Sequence, residues 1–170
     1  MGIDLLYKYE KKVNKDDLDS EIFPYSIVVK SVGKSISFQN ENFSFHLLLS
    51  RLMYFCLSFG RARIVYVYDG NKVIHTSFVV PQCSKYSFLG KNDYEIGPCK
   101  TDINYRGRGI YPHVLKYVVK YFSKQDNDFY MIVDKKNTSS RRGCEKAGFF
   151  IQGEVERTKY LHIWKYKENR

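Results

Sequence analysis

Residues 94–133 constrain the fold of this chain most, because they form one continuous pattern of strand, glycine-bearing turn, amphipathic helix and strand. The helix follows the turn at residues 106–109. Its apolar residues recur on one face, and Lys116, Lys120 and Lys124 share the opposite face. A helix that joins two neighbouring strands of one sheet requires those strands to be parallel. The sequence therefore predicts one parallel strand pair.

The segments on either side of this unit favour antiparallel strands. Residues 63–68 and 72–80 are rich in β-branched and aromatic residues, and the Asp-Gly-Asn sequence at 69–71 suits a tight hairpin between them. Three further elements follow the unit: a short helix at 138–147 and strand-like runs at 149–153 and 159–166. From residue 60 the predicted order is strand, strand, strand, helix, strand, helix, strand, strand, which is a mixed α/β fold.

The N-terminal part of the chain is harder to interpret. Residues 1–40 contain a charged stretch at 11–21 and one short strand-like run at 27–29. From Asn42, apolar residues recur at helical spacing until Gly60, which predicts a helix that ends at the glycine. A chain of 170 residues has room for one domain and one core.

The composition excludes several classes of protein. Hydrophobic residues make up 44% and charged residues 27% of the chain, which is typical of a globular protein and not of a disordered one. The most apolar segment, 43–59, is shorter than the ~20 residues that a membrane span needs. The first residues lack the apolar stretch of a secretory signal. The four cysteines show no C-x-x-C or zinc-ligand spacing, so we expect a soluble cytoplasmic protein without a metal site.

The net charge of +10 is unevenly distributed along the chain. Residues 1–100 hold 13 basic and 10 acidic side chains (+3), whereas residues 101–170 hold 15 and 8 (+7). This excess favours an anionic partner for the C-terminal part. A polynucleotide, an anionic membrane surface or a phosphorylated small molecule would each satisfy it.

The turn at residues 106–110, Arg-Gly-Arg-Gly-Ile, has the features of a phosphate-binding turn. A helix begins with unpaired main-chain N–H groups and a partial positive charge, and glycine lets a pyrophosphate approach these donors closely. Arg106 and Arg108 add full positive charges. The alternative is an ordinary solvated turn, but the position between a strand and a helix favours phosphate binding.

Two segments resemble motifs of the GNAT superfamily, the N-acetyltransferases that use acetyl-coenzyme A. Residues 106–111, Arg-Gly-Arg-Gly-Ile-Tyr, resemble its Q/R-x-x-G-x-G/A motif, and residues 137–149 are similar to its N-x-x-A/S-x-x-x-Y-E-K-x-G-F segment. The resemblance covers residues 62–166 and does not account for residues 1–40. The chain departs from the family at two positions, since Tyr111 replaces a small residue and Cys144 replaces the tyrosine thought to protonate the departing thiolate.

The resemblance implies a mostly antiparallel sheet with helices on both faces and one splayed parallel pair, here 95–102 and 130–134, which admits the pantetheine arm. It implies one domain over residues 1–170, with acceptor-side elements in 1–60 and the cofactor-binding core in 61–170. The residues implied to contact acetyl-coenzyme A are Cys99, Lys100, Thr101, Arg106, Gly107, Arg108, Gly109, Ile110, Tyr111, Asn137, Ser140, Arg141 and Lys146. A helix N-cap explains Asn137 equally well, and solvation explains the cations at 141 and 146.

The implied chemistry is attack of a neutral amine on a thioester. The amine must first lose a proton, an oxyanion must be stabilised, and the thiolate should be protonated as it leaves. Glu95 matches a strand glutamate that serves as base in histone-type members, with His75 and His113 as rivals. The candidate acids are Cys144 and Tyr111. Two other roles stay open for Cys144: it could be a nucleophile that becomes acylated, or a small residue buried in the core.

The acceptor is not encoded in these motifs. The combination Arg-Gly-x-Gly-Ile-Tyr-Pro with Arg-Gly-x-Glu-Lys-Ala-Gly-Phe is similar to a bacterial subgroup linked to surface-polysaccharide assembly, which implies an amino sugar on a nucleotide or lipid carrier. Two alternatives stay open at this point. One is a protein that binds acyl-coenzyme A without catalysis, and the other is a nucleic-acid-binding module that uses the lysine stripe and the many tyrosines.

Overall fold

The computed structural model describes residues 3–10, 23–34, 45–124, 126–158 and 163–167. Within these ranges, eight strands form a single sheet and three α-helices are present. The strands are β1 (Ile3–Tyr9), β2 (Ser26–Ser31), β3 (Arg63–Asp69), β4 (Lys72–Pro81), β5 (Tyr94–Thr101), β6 (Phe129–Asp134), β7 (Phe149–Arg157) and β8 (Trp164–Tyr166). The helices are α1 (Phe45–Leu57), α2 (Ile110–Phe122) and α3 (Thr138–Lys146).

The order of the strands in the sheet is β2-β3-β4-β5-β6-β1-β7-β8. Every neighbouring pair is antiparallel except β5 and β6, which are parallel. The predicted mixed α/β fold with one parallel pair is therefore confirmed, as is the predicted order of elements after residue 60.

Two hydrophobic clusters cover the two faces of the sheet. Successive residues of a strand point to opposite faces, and β1 shows this directly: Leu5 and Tyr7 belong to the first cluster and Leu6 belongs to the second. The first cluster includes the buried faces of α2 and α3, and the second includes Tyr54 of α1. Because both faces are covered, β1 is buried at three successive positions.

The N-terminal part differs most from its prediction. No pattern in the sequence predicted β1, which lies between β6 and β7. The strand predicted at 27–29 is present as β2, and the predicted helix is present as α1; its predicted start at Asn42 lies outside the described residues. The charged stretch at 11–21 lies outside the described residues.

The C-terminal strands also differ in extent from the prediction. The first of them, β7, is longer than the predicted run 149–153. Of the run predicted at 159–166, residues 163–166 are described, and β8 occupies the last three of them. In the described part of the chain, no helix has the length and apolar character to cross a membrane.

Candidate active site

A cavity of about 520 Å³ opens where β5 and β6 diverge. The end of β5, the beginning of α2 and one side of α3 form its wall. The residues that line it are Cys99, Lys100, Thr101, Tyr105, Arg106, Gly107, Gly109, Ile110, Tyr111, Pro112, Asn137, Ser139, Ser140, Arg142, Gly143 and Lys146.

The beginning of α2 presents unpaired main-chain donors to this cavity. Gly107 and Gly109 have positive φ angles of 78° and 74°, and Gly109 is the N-cap of the helix. A left-handed backbone at both positions suits glycine. Within the described residues, the N–H groups of residues 107–111 find no acceptor in the chain. The turn therefore offers consecutive donors to an anion at a helix N-terminus.

The strand beside this turn also has an unpaired edge. β5 and β6 pair only at Tyr94 with Phe129 and at Glu95 with Tyr130, so their described ladder ends after two pairs. The other edge of β5 continues to pair with β4 as far as Thr101. From Ile96 onwards the main chain of β5 that faces β6 is therefore available to an extended ligand.

Four cationic side chains line the cavity: Lys100, Arg106, Arg142 and Lys146. Arg108, which the resemblance placed in the cofactor site, is not part of this lining. Its guanidinium donates to the carbonyl oxygen of Asn104 at 3.0 Å and lies 4.9 Å from the centroid of the Tyr105 ring.

The second motif lies along α3 and begins with a capped helix. The Asn137 side chain accepts hydrogen bonds from the main-chain N–H of Ser140 at 3.1 Å and from the Ser139 hydroxyl at 3.0 Å. Asn137 thus acts as the N-cap and also lines the cavity. Because this cap fixes the start of the helix, it also fixes which later side chains face the cavity.

Arg142 faces the cavity instead of the expected Arg141. The Nε of Arg141 donates to the Tyr7 hydroxyl at 3.3 Å, and Tyr7 in turn donates to Glu145 Oε1 at 3.1 Å. Neighbouring residues of a helix point about 100° apart, so the cation at 142 lies on the side shared with Lys146. The i, i+4 spacing of Arg142 and Lys146 places both on one side of α3. The sequence did not show which side of α3 meets the cavity, because β1, which Arg141 contacts through Tyr7, was not predicted.

Tyr111 extends from α2 across α3 toward β6. Its ring lies against Gly143, where an added Cβ would be 2.4 Å from the ring. Its hydroxyl is 3.3 Å from Cys144 Sγ and 3.9 Å from Met131 Sδ. Tyr111 lines the cavity whereas the fully buried Cys144 lies behind it. Burial raises the pKa of Cys144 to about 11 and holds the pKa of Tyr111 well above its usual range.

A buried hydrogen-bond network joins β4 to the cavity wall. His75 Nδ1 is 2.7 Å from Thr101 Oγ1, and His75 Nε2 is 2.7 Å from Ser77 Oγ, which donates to Cys99 Sγ at 3.1 Å. Burial lowers the pKa of His75 to about 4 and raises that of Cys99 to about 12, so both are neutral at pH 7. The other rival base, His113, stacks on Phe23 with ring centroids 3.8 Å apart and is not part of the cavity wall.

Glu95 lies on the opposite face of the sheet from the first core cluster. Only 4% of it is exposed, and Tyr86 donates its phenolic proton to Glu95 Oε2 at 2.9 Å. Oε1 lies over Gly97, at 2.6 Å from the position of an added Cβ. Burial raises the pKa of Glu95 to about 8, against the opposing effects of the Tyr86 hydrogen bond and the nearby Lys85 charge. This carboxyl therefore combines a basicity suited to neutral pH with an oxygen, at the start of the strand divergence, that has no hydrogen-bond partner among the described residues.

Comparisons with solved structures agree with this geometry. An acetyltransferase of the GNAT family from Colwellia psychrerythraea is similar with a TM-score of 0.65 and 15% identity, over 89% of this chain and 53% of that chain. A predicted acetyltransferase from Clostridium acetobutylicum, solved with acetyl-CoA, has a TM-score of 0.56 and 17% identity, over 81% of this chain and 97% of that chain. The ribosomal-protein-S5-alanine acetyltransferase from Vibrio fischeri has a TM-score of 0.53 and 18% identity, over 84% of this chain and 88% of that chain.

The chain has the GNAT fold. The resemblance inferred from the two motifs is thus confirmed at the level of architecture. No protein-family model and no curated protein matches the sequence. The chain spans between 53% and 61% of the length of four of the solved structures that it matches, including the Colwellia protein. In this GNAT fold, the two motifs meet at one cavity, and Glu95 lies where the parallel strands begin to separate.

Proposed function

We propose that this protein is an N-acetyltransferase that moves an acetyl group from acetyl-coenzyme A directly to a primary amine. One observation carries the proposal: in the described part of the chain, a row of unpaired main-chain donors at the start of α2 stands beside the unpaired edge of β5. The first feature suits a diphosphate and the second suits an extended chain with amide groups. Coenzyme A contains both parts in one molecule.

The residues of the cavity fit this molecule. The amides of residues 107–111 would hold the pyrophosphate, and Arg106, Arg142 and Lys146 would add charge-assisted bonds to phosphate oxygens. Main-chain groups of residues 99–101 would bond to the pantetheine arm. When bound, acetyl-coenzyme A supplies an acetyl thioester that a neutral amine can attack.

Glu95 is the proposed general base. Its pKa of about 8 lets it accept a proton from an ammonium group near neutral pH, and Oε1 has no partner among the described residues. Tyr86 holds the other carboxylate oxygen and so fixes the direction of the side chain.

Tyr111 is the proposed general acid. It lines the cavity, whereas Cys144 is covered by it. Burial keeps the phenol protonated at neutral pH, so its proton is present when the thiolate leaves. Cys144 then serves to position the Tyr111 hydroxyl through their 3.3 Å contact.

The acceptor class we propose first is an amino sugar on a nucleotide or lipid carrier. The motif combination that resembles the polysaccharide-associated subgroup supports it. The Vibrio fischeri structure is named for a protein acceptor, ribosomal protein S5. A panel of acceptors should therefore contain UDP-linked amino sugars, polyamines and peptides with a free N-terminus.

Calorimetry with acetyl-coenzyme A and two matched variants tests the cofactor site. Gly109→Glu places bulk and negative charge at the start of α2 and should abolish measurable binding. Gly70→Glu is the control, because Gly70 also has a positive φ (56°) and open space around its Cβ position but lies in the β3–β4 turn. Equal affinity of Gly109→Glu and wild type would contradict the assignment.

The second candidate function is binding of acyl-coenzyme A without catalysis. The replacement of the family's tyrosine by Cys144 favours it. Steady-state release of free thiol with the acceptor panel separates the two. Tight binding without thiol release for any amine would support the non-catalytic function.

A further inference from the structure

Four polar side chains form a compact group on the face of the sheet that carries the first core cluster. His75 and Ser77 lie two residues apart on β4. Across the strands, His75 pairs with Thr101 of β5 and Ser77 pairs with Cys99. His75 and Ser77 are 1% and 0% exposed, whereas Cys99 and Thr101 line the cavity. The buried half of this group therefore supports two residues of the cavity wall.

The imidazole of His75 is neutral in this environment. Both of its ring nitrogens bond to hydroxyl groups, and no carboxylate of the described residues contacts the ring. A buried charge without a counter-charge is costly, so the ring carries a proton on only one nitrogen. The pKa of His75, which burial lowers to about 4, agrees with this conclusion.

The direction of each hydrogen bond in this group follows from the single proton of the Ser77 hydroxyl. That hydroxyl donates to Cys99 Sγ at 3.1 Å, so it has no proton left for the imidazole. Nε2 of His75, at 2.7 Å, must therefore donate to Ser77 Oγ. Because the neutral ring has one N–H, Nδ1 is an acceptor, and the Thr101 hydroxyl donates to it at 2.7 Å.

The Thr101 hydroxyl can consequently only accept a hydrogen bond from a molecule in the cavity. Its proton is held by His75, and its oxygen has no other partner among the described residues. The main-chain N–H groups of residues 107–111 and the four cationic side chains of the wall have the opposite character, since all of them are donors. Thr101 thus places an acceptor at the end of β5, next to a group of donors.

We propose that His75 is a positioning residue, which holds Thr101 Oγ1 ready to accept a hydrogen bond from an amide N–H of the pantetheine arm. Phosphate oxygens suit the donors at the start of α2, and the acceptor at Thr101 suits an amide group further along the same molecule. A buried amide N–H without an acceptor would cost free energy, so the fixed hydroxyl favours a ligand with an amide at this point. This inference rests on the proposed function, because coenzyme A supplies the amide.

Calorimetry with two ligands tests the role of the Thr101 hydroxyl. Thr101→Val removes the acceptor at nearly constant shape and should weaken the binding of coenzyme A about tenfold, because an amide N–H is left without a partner. The second ligand is 3′-phosphoadenosine 5′-diphosphate, which is coenzyme A without its pantetheine arm, and it should bind this variant with wild-type affinity. Thr101→Ser should bind both ligands as the wild type does. Thr76→Val, the same change on the opposite face of β4, is the control and should leave both affinities unchanged.

A double-variant cycle tests whether His75 acts through Thr101. His75→Leu removes both hydrogen bonds of the ring and leaves the Thr101 hydroxyl free to rotate, so it should weaken the binding of coenzyme A about threefold. In the Thr101→Val background the same change should have no further effect. Additive losses would overturn the positioning role, as would an equal loss of affinity for both ligands in Thr101→Val. Wild-type affinity of Thr101→Val for coenzyme A would also overturn it.

A measurement on the free protein keeps the test independent of the ligand. The ¹⁵N chemical shifts of an imidazole show which of its nitrogens carries the proton, because the two nitrogens of the neutral ring are distinct. The His75 ring, identified by its change in Thr101→Val, should carry the proton on Nε2 at neutral pH. A proton on Nδ1, alone or together with one on Nε2, would overturn the inference even if the protein binds coenzyme A. A proton on Nε2 alone, in a wild-type protein that does not bind coenzyme A, would refute the proposed function and the pantetheine ligand while it supports the acceptor role of Thr101.

Discussion

The two polar regions of this protein lie on opposite faces of one sheet and are constructed in opposite ways. The cavity at the start of α2 uses main-chain donors and exposed cations, and its wall comes mostly from two short stretches, 99–112 and 137–146. The region around Glu95 uses enclosed side chains from three separate parts of the chain. One region is open and local in sequence, and the other is closed and assembled by tertiary packing.

Burial shifts the pKa of a titratable group on each face by the same physical mechanism, but the two shifts have opposite signs. On the cavity side it lowers the pKa of His75 to about 4, and on the other side it raises the pKa of Glu95 to about 8. Each shift favours the neutral form of its group, because a charge is poorly solvated inside the protein. For Glu95 the shift brings the group into the range useful for proton transfer, whereas for His75 it removes the group from that range.

Replacement of the base should have the largest effect and should separate the two faces cleanly. We expect Glu95→Gln to lower kcat by about 100-fold or more, because proton transfer by a positioned base is lost. The dissociation constant for acetyl-coenzyme A should not change, since the cavity lies across the sheet. Steady-state kinetics and calorimetry measure the two quantities, with Glu156→Gln in β7 as control. A normal rate in Glu95→Gln would exclude Glu95 as the base.

Acid titration should reveal the buried imidazole on the cavity side. The unfolded chain takes up a proton on His75 below about pH 6.5, whereas the folded chain does so only near pH 4. The unfolded state binds more protons in this window, so the stability from His75 is complete above pH 6.5 and is lost as the pH falls toward 4. The expected loss is about 3 kcal/mol. Denaturant unfolding at several pH values should show a shallower decline in His75→Asn, and an equal slope in both proteins would contradict the assignment.

Of the two polar regions, the cavity at the start of α2 was the one that could be predicted from the sequence. Gly107 and Gly109 lie between a strand and a helix that both have strong periodicity, so the position of a phosphate-binding turn followed from neighbouring residues. The parallel pair followed from the helix that joins its strands, and β5 and β6 are indeed parallel. The contacts of the proposed cofactor with these residues stay predictions.

The remaining features depend on partners far away in sequence. β1 has buried residues on both faces, so it lacks the alternation that marks a half-buried strand, and its pairing with β6 and β7 could not be inferred locally. Without β1 there was no reason to assign Arg141 to Tyr7. Tyr86 was likewise only one of 15 tyrosines until packing brought it to Glu95.

A single methyl group should disturb the cavity side at Gly143. Its Cβ would lie 2.4 Å and 2.6 Å from ring atoms of Tyr111, which is closer than packed atoms can approach. We expect Gly143→Ala to lower the free energy of unfolding by about 2 kcal/mol, the usual cost of overpacking. The Tyr111→Ala, Gly143→Ala double variant should lose less than the sum of the two single variants in denaturant unfolding, since the clash is gone. Additive effects would show that the ring is not packed against Gly143.

Gly97→Ala, the corresponding change on the other face of the sheet, should lower kcat more than it lowers stability. A Cβ at Gly97 would lie 2.6 Å from Glu95 Oε1, and that oxygen belongs to the end of a side chain that can move. We expect Gly97→Ala to turn the carboxyl away from the strand gap and to lower kcat by about tenfold, less than removal of the base itself. Gly153→Ala in β7 is the control, because its nearest neighbour, a ring atom of Tyr166, is at an ordinary 3.6 Å. Since the cavity is on the far side of the sheet, acetyl-coenzyme A should bind both variants with wild-type affinity, and weaker binding in Gly97→Ala alone would mean that the two faces are not independent.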